Sequence, residues 1–183
     1  MRRALLHIPA LVLLCGCGSA PLTTSIIDKE GFSKSSAITV LDFSAKDSLV
    51  RYSGNADSLG HVMATLLRKE LQGRTGNLAV YLGSGSPITT DLVLEGKFTK
   101  IDEGDAAARI MVGAEGVTVA VEGKISKPTG EVVAEFSKSK TSSGGPLGMG
   151  GLLAGDSDVI VEDIMEDIAE DLAEFVIVNS GKR

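Results

Sequence analysis

The stretch VTVAVEGKISKPTGEVVAEF (residues 117–136) decides the class of fold. It contains two runs in which apolar and polar side chains alternate, separated by the turn sequence KPTG (127–130). Alternation with a period of two residues is typical of strands that bury one face and expose the other. We therefore expect an antiparallel hairpin with one face in a core and the other in solvent.

Two strands and a helix are predicted upstream of this hairpin. The runs AITVLDF (37–43) and LAVYL (78–82) are apolar enough for buried strands. Apolar residues between them recur at helical spacing, and Gly73 follows where a C-cap belongs. The stripe consists of Leu59, Val62, Met63, Leu66, Leu67 and Leu71. A strand, a helix and a strand over this length predict a parallel pair with a right-handed crossover.

One more strand and a long helix complete the predicted fold. Leu92, Leu94 and Phe98 share one face of a strand that precedes the hairpin. The last helix has an apolar stripe made of Ile160, Ile164, Ile168, Leu172, Phe175 and Val176. We therefore predict an α/β (α+β) fold with a single mixed sheet, element order β-α-β-β-β-β-α, and two helices packed on one face.

The N-terminus has the features of a bacterial lipoprotein signal. Two arginines precede a mostly apolar run (4–14), which is shorter than the roughly 20 apolar residues that a membrane-spanning helix needs. The sequence LCGC (14–17) then resembles a lipobox, with a small glycine directly before the cysteine. We predict a signal peptide over residues 1–16 and attachment of lipid to Cys17, which would hold the protein on a membrane.

The residues next to the cleavage site set the expected location. Cleavage before Cys17 removes Cys15, so the mature chain keeps one cysteine and forms no internal disulfide. Loss of the two signal arginines changes the net charge from −6 to −8, so attraction to anionic lipid is not expected. Gly18 stands where an aspartate retains lipoproteins of enteric-type bacteria in the inner membrane. By analogy we expect a cell-envelope protein on the outer membrane, facing the periplasm.

Length and composition predict one folded domain. The chain has 183 residues, of which 43 % are hydrophobic, which is enough for a core. Residues 17–36 are rich in Ser, Thr and Gly, and we predict a lipidated cysteine followed by a tether. The domain itself is predicted over 37–179. It includes a glycine-rich loop (143–155), which is either a linker or a segment that meets a partner or the membrane.

The sequence argues against catalysis and against nucleic-acid binding. Aromatic residues make up only 4 % of an acidic chain, so the basic patches and stacking rings of nucleic-acid readers are missing. His61 is the only histidine of the mature chain, which excludes thiol–histidine catalysis and His-rich metal sites. We expect His61 to be a partly buried structural residue. We predict no enzyme activity, no cofactor, no metal and no small-molecule substrate.

Two acidic clusters have simple interpretations and one alternative. Asp102, Glu103 and Asp105 lack the full spacing of a calcium loop and predict a solvated turn. The last helix is acidic without any Lys or Arg, and acids four residues apart cost roughly 0.2–0.5 kcal/mol per pair in isolated helices. This surface is either a solvated face or a site for a cationic partner. The candidate partner-binding residues are Glu162, Glu166, Glu170 and Asp171.

The order of these segments resembles the bacterial lipoproteins of the domain-of-unknown-function family 4410. The resemblance covers residues 37–176, and four sequence features carry it. They are DLVLEG (91–96), the I-D-x-G turn (101–104), VGA (112–114) and TGEVVAEF (129–136). A wider resemblance, through ITVLDF (38–43), reaches the N-terminal α/β domains of curli secretion-channel and peptidoglycan-synthase-activator lipoproteins. These resemblances imply an envelope interaction domain and carry over no site residues.

Three functions remain open from the sequence. The first is a lipid-anchored envelope protein whose non-catalytic domain binds an unknown envelope protein. The alternative is a subunit of an oligomeric envelope assembly or secretion pore, which makes the protein a candidate homo-oligomer. A third and weaker alternative is an envelope hydrolase that uses carboxylates alone.

Overall fold

The computed structural model describes residues 20–46, 49–74, 77–83, 90–104, 116–142 and 157–181. Within these residues the chain forms seven strands and three helices. In chain order they are β1 (Thr23–Ile26), α1 (Lys29–Lys34), β2 (Ala37–Leu41), β3 (Leu49–Arg51), α2 (Ala56–Arg74), β4 (Ala79–Gly83), β5 (Leu92–Asp102), β6 (Thr118–Ser126), β7 (Val132–Thr141) and α3 (Ser157–Ser180).

The strands form one mixed sheet. Its order is β1-β7-β6-β5-β2-β4, and β3 pairs with the far end of β5. β2 runs parallel to β4 and β5, whereas β5, β6, β7 and β1 pair antiparallel. The predicted α/β (α+β) fold is therefore confirmed, including the parallel pair around the first long helix and the hairpin of β6 and β7.

Helices α2 and α3 pack side by side over one face of the sheet. The predicted apolar stripes point into the core between the helices and the strands, as expected from their spacing. Stripe residues with no exposed surface include Met63, Leu67, Leu71, Ile168 and Leu172. Each large apolar side chain contributes roughly 1.5–3 kcal/mol when it leaves water. The prediction that both helices cover one face is confirmed.

The segment predicted as a tether over residues 17–36 is partly folded into the domain. β1 pairs with β7, and the Asp28 side chain caps α1 by accepting a hydrogen bond from Gly31 N at 2.8 Å. Phe32 is fully buried and meets the ring of Phe175 edge-on at 5.9 Å. The predicted tether is therefore wrong from β1 onward. The side chains of β1 are all exposed, so the sequence has no alternation there.

Two smaller features also differ from the prediction. β3 is an additional strand of three exposed residues. A strand this short gives no periodic pattern in the sequence. Gly73 lies inside α2, which continues to Arg74. Neither difference changes the order of the predicted elements.

Asp91, which precedes β5, is hydrogen-bonded to the start of β2. Its Oδ2 accepts hydrogen bonds from the backbone N–H and the hydroxyl of Ser36, at 2.7 and 2.8 Å, and from the Ala37 N–H at 3.2 Å. The bond from the Ser36 backbone is the largest of the causes that lower the pKa of Asp91. Because folding lowers this pKa, the contribution to stability is present above the unfolded pKa and is lost as the pH falls through the folded pKa.

Two glycines make room for aromatic rings in the core. A Cβ atom on Gly96 would overlap the ring of Phe43, which lies 6.1 Å from the ring of Phe98. A Cβ atom on Gly123 would lie 2.3 Å from the carbonyl oxygen of Glu95 and 2.5 Å from the ring of Phe136. The obstacle at Gly123 includes backbone, which cannot rotate away as a flexible side chain does.

We predict that Gly123→Ala lowers the free energy of unfolding by about 1–3 kcal/mol, the usual cost of overpacking a core. Gly73→Ala is the matched control, since nothing lies within 4 Å of its added Cβ. Alanine is favoured over glycine inside helices by roughly 0.5–1 kcal/mol, so this variant should be as stable as wild type or slightly more so. Urea denaturation of the chain from residue 18 onward measures both, and equal stability of the two variants would contradict the close approach at Gly123.

Candidate interaction surfaces

The predicted lipidation site and the glycine-rich loop lie outside the described residues. The described chain begins at Ala20, three residues after Cys17. It also omits residues 143–156, so the two interpretations of the loop stay as predictions. The surfaces that the structure does describe are the acidic helix α3 and the face of the sheet that α2 and α3 leave uncovered.

The acids of α3 are held by cations from two other elements. Glu166 pairs with Lys69 at 2.9 Å, and this hydrogen bond raises the pKa of the lysine. Glu170 contacts the Arg74 guanidinium at 2.6 Å, which likewise raises the pKa of the arginine. Both cations belong to α2. The like-charge repulsion expected along α3 is therefore offset by a neighbouring helix of opposite charge.

The same helix is also fixed to the sheet by ion pairs. Asp171 contacts Lys138 of β7 at 2.5 Å, and Asp167 contacts Lys140 of the same strand. The Lys138 side chain is only 6 % exposed, whereas that of Asp171 is 42 % exposed. A buried ammonium group needs a hydrogen-bonding counter-ion, so this pair connects the surface of α3 to the edge of the core.

Three of the four candidate partner-binding residues therefore have partners within the domain. Glu166, Glu170 and Asp171 contribute to packing, while Glu162 is exposed and forms no ion pair with any described residue. The acidic surface left for a partner is narrower than the sequence predicts. The sequence could not reveal this, because the ion pairs join residues about 30 to 100 positions apart in α2, β7 and α3.

The uncovered face of the sheet carries alternating charges in register. Lys97 pairs with Glu122 at 3.0 Å, and Glu95 pairs with Lys124 at 2.8 Å, across the strands β5 and β6. The hydrogen bond from Glu95 raises the pKa of Lys124. These side chains, with residues of β1 and β7 that include Glu135, line a concave groove of about 630 Å³. The two cross-strand ion pairs balance each other, so Glu135 leaves the groove with one excess negative charge.

Two residues that the sequence analysis weighed for catalysis or metal binding, His61 and Asp102, are explained by exposure and by a turn. His61 Nδ1 lies 3.1 Å from Asp42 Oδ1, and the His61 side chain is 61 % exposed, so the expectation of a partly buried histidine is wrong. Asp102 Oδ1 accepts a hydrogen bond from Gly104 N at 3.0 Å, where Gly104 has a φ of 64°. This bond lowers the pKa of Asp102 and supports the interpretation of a turn.

Two absences apply to the part of the chain that is described. No cluster of three or more His, Cys, Asp or Glu side chains there is arranged to hold a metal ion. No helix among the same residues has the length and apolar character to cross a bilayer.

The fold and its surfaces define a mixed α/β domain in which helices cover one face and paired charges cover the other. A family model described as "Domain of unknown function (DUF4410)" matches residues 35–146. The protein belongs to this family, as the resemblance of its sequence segments implied. No curated protein matches the chain in sequence.

Two solved structures are similar to the chain in fold. Both are PelC dodecamers from Paraburkholderia phytofirmans, one of them carrying a single substitution. The first is 12 % identical, covers 83 % of this chain and 97 % of its own, and has a TM-score of 0.51. The variant is 11 % identical, covers 84 % and 97 %, and has a TM-score of 0.52. At this identity the likeness shows a shared fold alone.

We predict that Asp171→Asn lowers the free energy of unfolding by about 1–3 kcal/mol, because it leaves the Lys138 ammonium buried without its counter-ion. The loss is smaller than for a fully buried pair, since Asp171 is 42 % exposed and solvent screens it. Glu162→Gln is the control on the same helix and should change stability by less than about 0.5 kcal/mol. Thermal and urea denaturation measure both, and equal effects of the two substitutions would contradict a structural role for the ion pair.

Proposed function

We propose that the protein is a bacterial lipoprotein, held on a membrane by lipid on Cys17, whose domain is a non-catalytic interaction module of the cell envelope. The lipobox-like sequence LCGC (14–17) after a short apolar run carries the proposal. Gly18 favours the outer membrane, with the domain in the periplasm. Membership in a family of unknown function is compatible with this role and assigns no activity.

The chemistry of the mature chain supports a binding role over an enzymatic one. Its only histidine, His61, is an exposed residue beside Asp42, and its only cysteine is the one proposed to carry lipid. The described carboxylates of α3 and of the open face lie mostly beside lysine or arginine. A two-carboxylate hydrolase instead needs two acids that face each other across the bond to be cleaved.

A second candidate function is that of a subunit in a homo-oligomeric envelope assembly. It is favoured by one specific observation, that two structures similar in fold are dodecamers. The edge strands β1 and β4 carry no charged residue among them, although charge is a usual protection of sheet edges. Ile26 on β1 is 39 % exposed, and Tyr81 on β4 is 54 % exposed. Pairing of β1 with β4 of the next copy would be a head-to-tail contact, which generates a ring when the rotation between copies closes.

We expect Cys17→Ser to abolish incorporation of a fatty-acid analogue in growing cells, because the thiol that accepts lipid is gone. Cys15→Ser is the matched control and should be labelled like wild type, since Cys15 leaves with the signal peptide. Gel fluorescence after metabolic labelling measures the result. Unchanged labelling of the Cys17 variant would end the lipoprotein proposal.

The second candidate predicts that the wild-type protein is oligomeric in detergent and that either Ile26→Lys or Tyr81→Lys makes it monomeric. In a head-to-tail contact each variant keeps one intact edge, so a mixture of the two should give dimers and nothing larger. Val178→Lys, at an exposed apolar residue of α3, should leave the oligomer unchanged. Mass photometry measures all five samples. A wild-type protein that is monomeric throughout would contradict the assembly, and two variants that remain oligomeric would contradict the contact.

A further inference from the structure

Only Gly18 and Ser19 lie between the proposed lipidation site at Cys17 and the first described residue, Ala20; this short segment is called the lead. This inference rests on the proposed lipid attachment to Cys17. The described chain begins at Ala20, and three residues span at most about 10 Å when fully extended. Ala20 must therefore stay close to the lipid headgroups. The side chains on the surface around Ala20 must also lie near the membrane.

Ala20 lies on the uncovered face of the sheet, near the ends of β5, β6 and β7. With Pro21 it contacts a shallow depression formed by Thr99, Ala120 and Ser139. Ala120 is the register partner of Ser139 on one side and of Lys100 on the other. The charged residues in and beside the depression each have a counter-ion. Glu122 pairs with Lys97, Lys138 pairs with Asp171, and the Lys100 ammonium lies 3.2 Å from Asp102.

The same row of the sheet ends in an exposed leucine. Leu49 of β3 is the register partner of Lys100 and so lies on the face that carries Ala120 and Ser139. From Ser139 to Leu49 the row crosses three strand spacings, which is about 14 Å. The Leu49 side chain is 74 % exposed, the largest value among the exposed large hydrophobic residues described. Its neighbour Val50 is also 39 % exposed.

We propose that this row, Leu49 with Ala120 and Ser139, faces the bilayer and that Leu49 enters the headgroup–acyl boundary as a second contact beside the lipid. The short lead brings the row to the membrane, and burial of Leu49 there removes apolar surface from water. The contact is apolar, because the mature chain is acidic and the Lys100 charge is taken by Asp102. Anionic lipid is therefore not required for it.

A single-cysteine label tests the contact in the lipidated protein. The mature chain has no other free thiol once Cys17 is lipidated, so Leu49→Cys and Ile27→Cys can each be labelled with an environment-sensitive fluorophore. Ile27 is 59 % exposed and lies toward the opposite end of β7, which makes it the matched control. The labelled proteins are reconstituted into phosphatidylcholine vesicles, with and without phosphatidylglycerol.

We expect the probe at position 49 to shift to shorter wavelength and to be quenched by spin-labelled lipid in both kinds of vesicle, and the probe at position 27 to stay in water. Equal, water-like emission at both positions, in protein that carries lipid and sediments with the vesicles, would overturn the contact while leaving the anchor intact. Dependence of the shift on phosphatidylglycerol would overturn its apolar basis. Protein that lacks N-terminal lipid by mass spectrometry would overturn the anchor and the contact together.

Discussion

Burial of one face of the sheet under α2 and α3 is the constraint on which the rest of the structure depends. A strand with one face in a core must alternate, and β6 does so over residues 118–122 and β7 over residues 134–138. A slip of one residue would turn Val119 and Val121 to solvent and bring Glu122 into the core. The register is therefore fixed by hydrophobicity, and every charge on the sheet is directed to one of two places: the uncovered face or the rim beneath α3.

That sorting of charges explains how an acidic helix is tolerated. Asp167 and Asp171 point down to lysines of β7, while Glu166 and Glu170 point sideways to cations of α2. Exposed pairs of this kind contribute little individually, and the Lys138 pair differs because its ammonium is nearly buried. The acidic side chains therefore hold α3 against both α2 and β7. Only part of their charge remains for a cationic partner, at exposed acids without an ion pair among the described residues: Glu162, Asp163 and Glu174.

The sequence predicted those elements whose side chains repeat against a core. The alternation in residues 117–136 and the stripe from Leu59 to Leu71 were enough for the sheet, the hairpin and the helix-covered face. β1, α1 and β3 were missed, because β1 and β3 are fully exposed and α1 is fixed by one cap and one ring, Asp28 and Phe32. The ion pairs of α3 were also missed, since they join distant segments whose proximity follows only from the fold.

The proposed anchor would also limit how copies of the protein can associate on a membrane. β1 pairs with β7, and Ile27 N and Asp28 N both donate to Val133 O, so β1 is part of the sheet rather than of a loose tether. An anchor at the proposed site, three residues before Ala20, would then fix which side of each domain faces the lipid. A two-fold dimer whose axis lies in the membrane plane would point its two anchors to opposite sides, which so short a lead cannot correct. A ring whose axis is normal to the membrane places every anchor at the same height. Lipid attachment at Cys17 and assembly through β1 and β4 are therefore geometrically compatible only in a cyclic arrangement of this orientation.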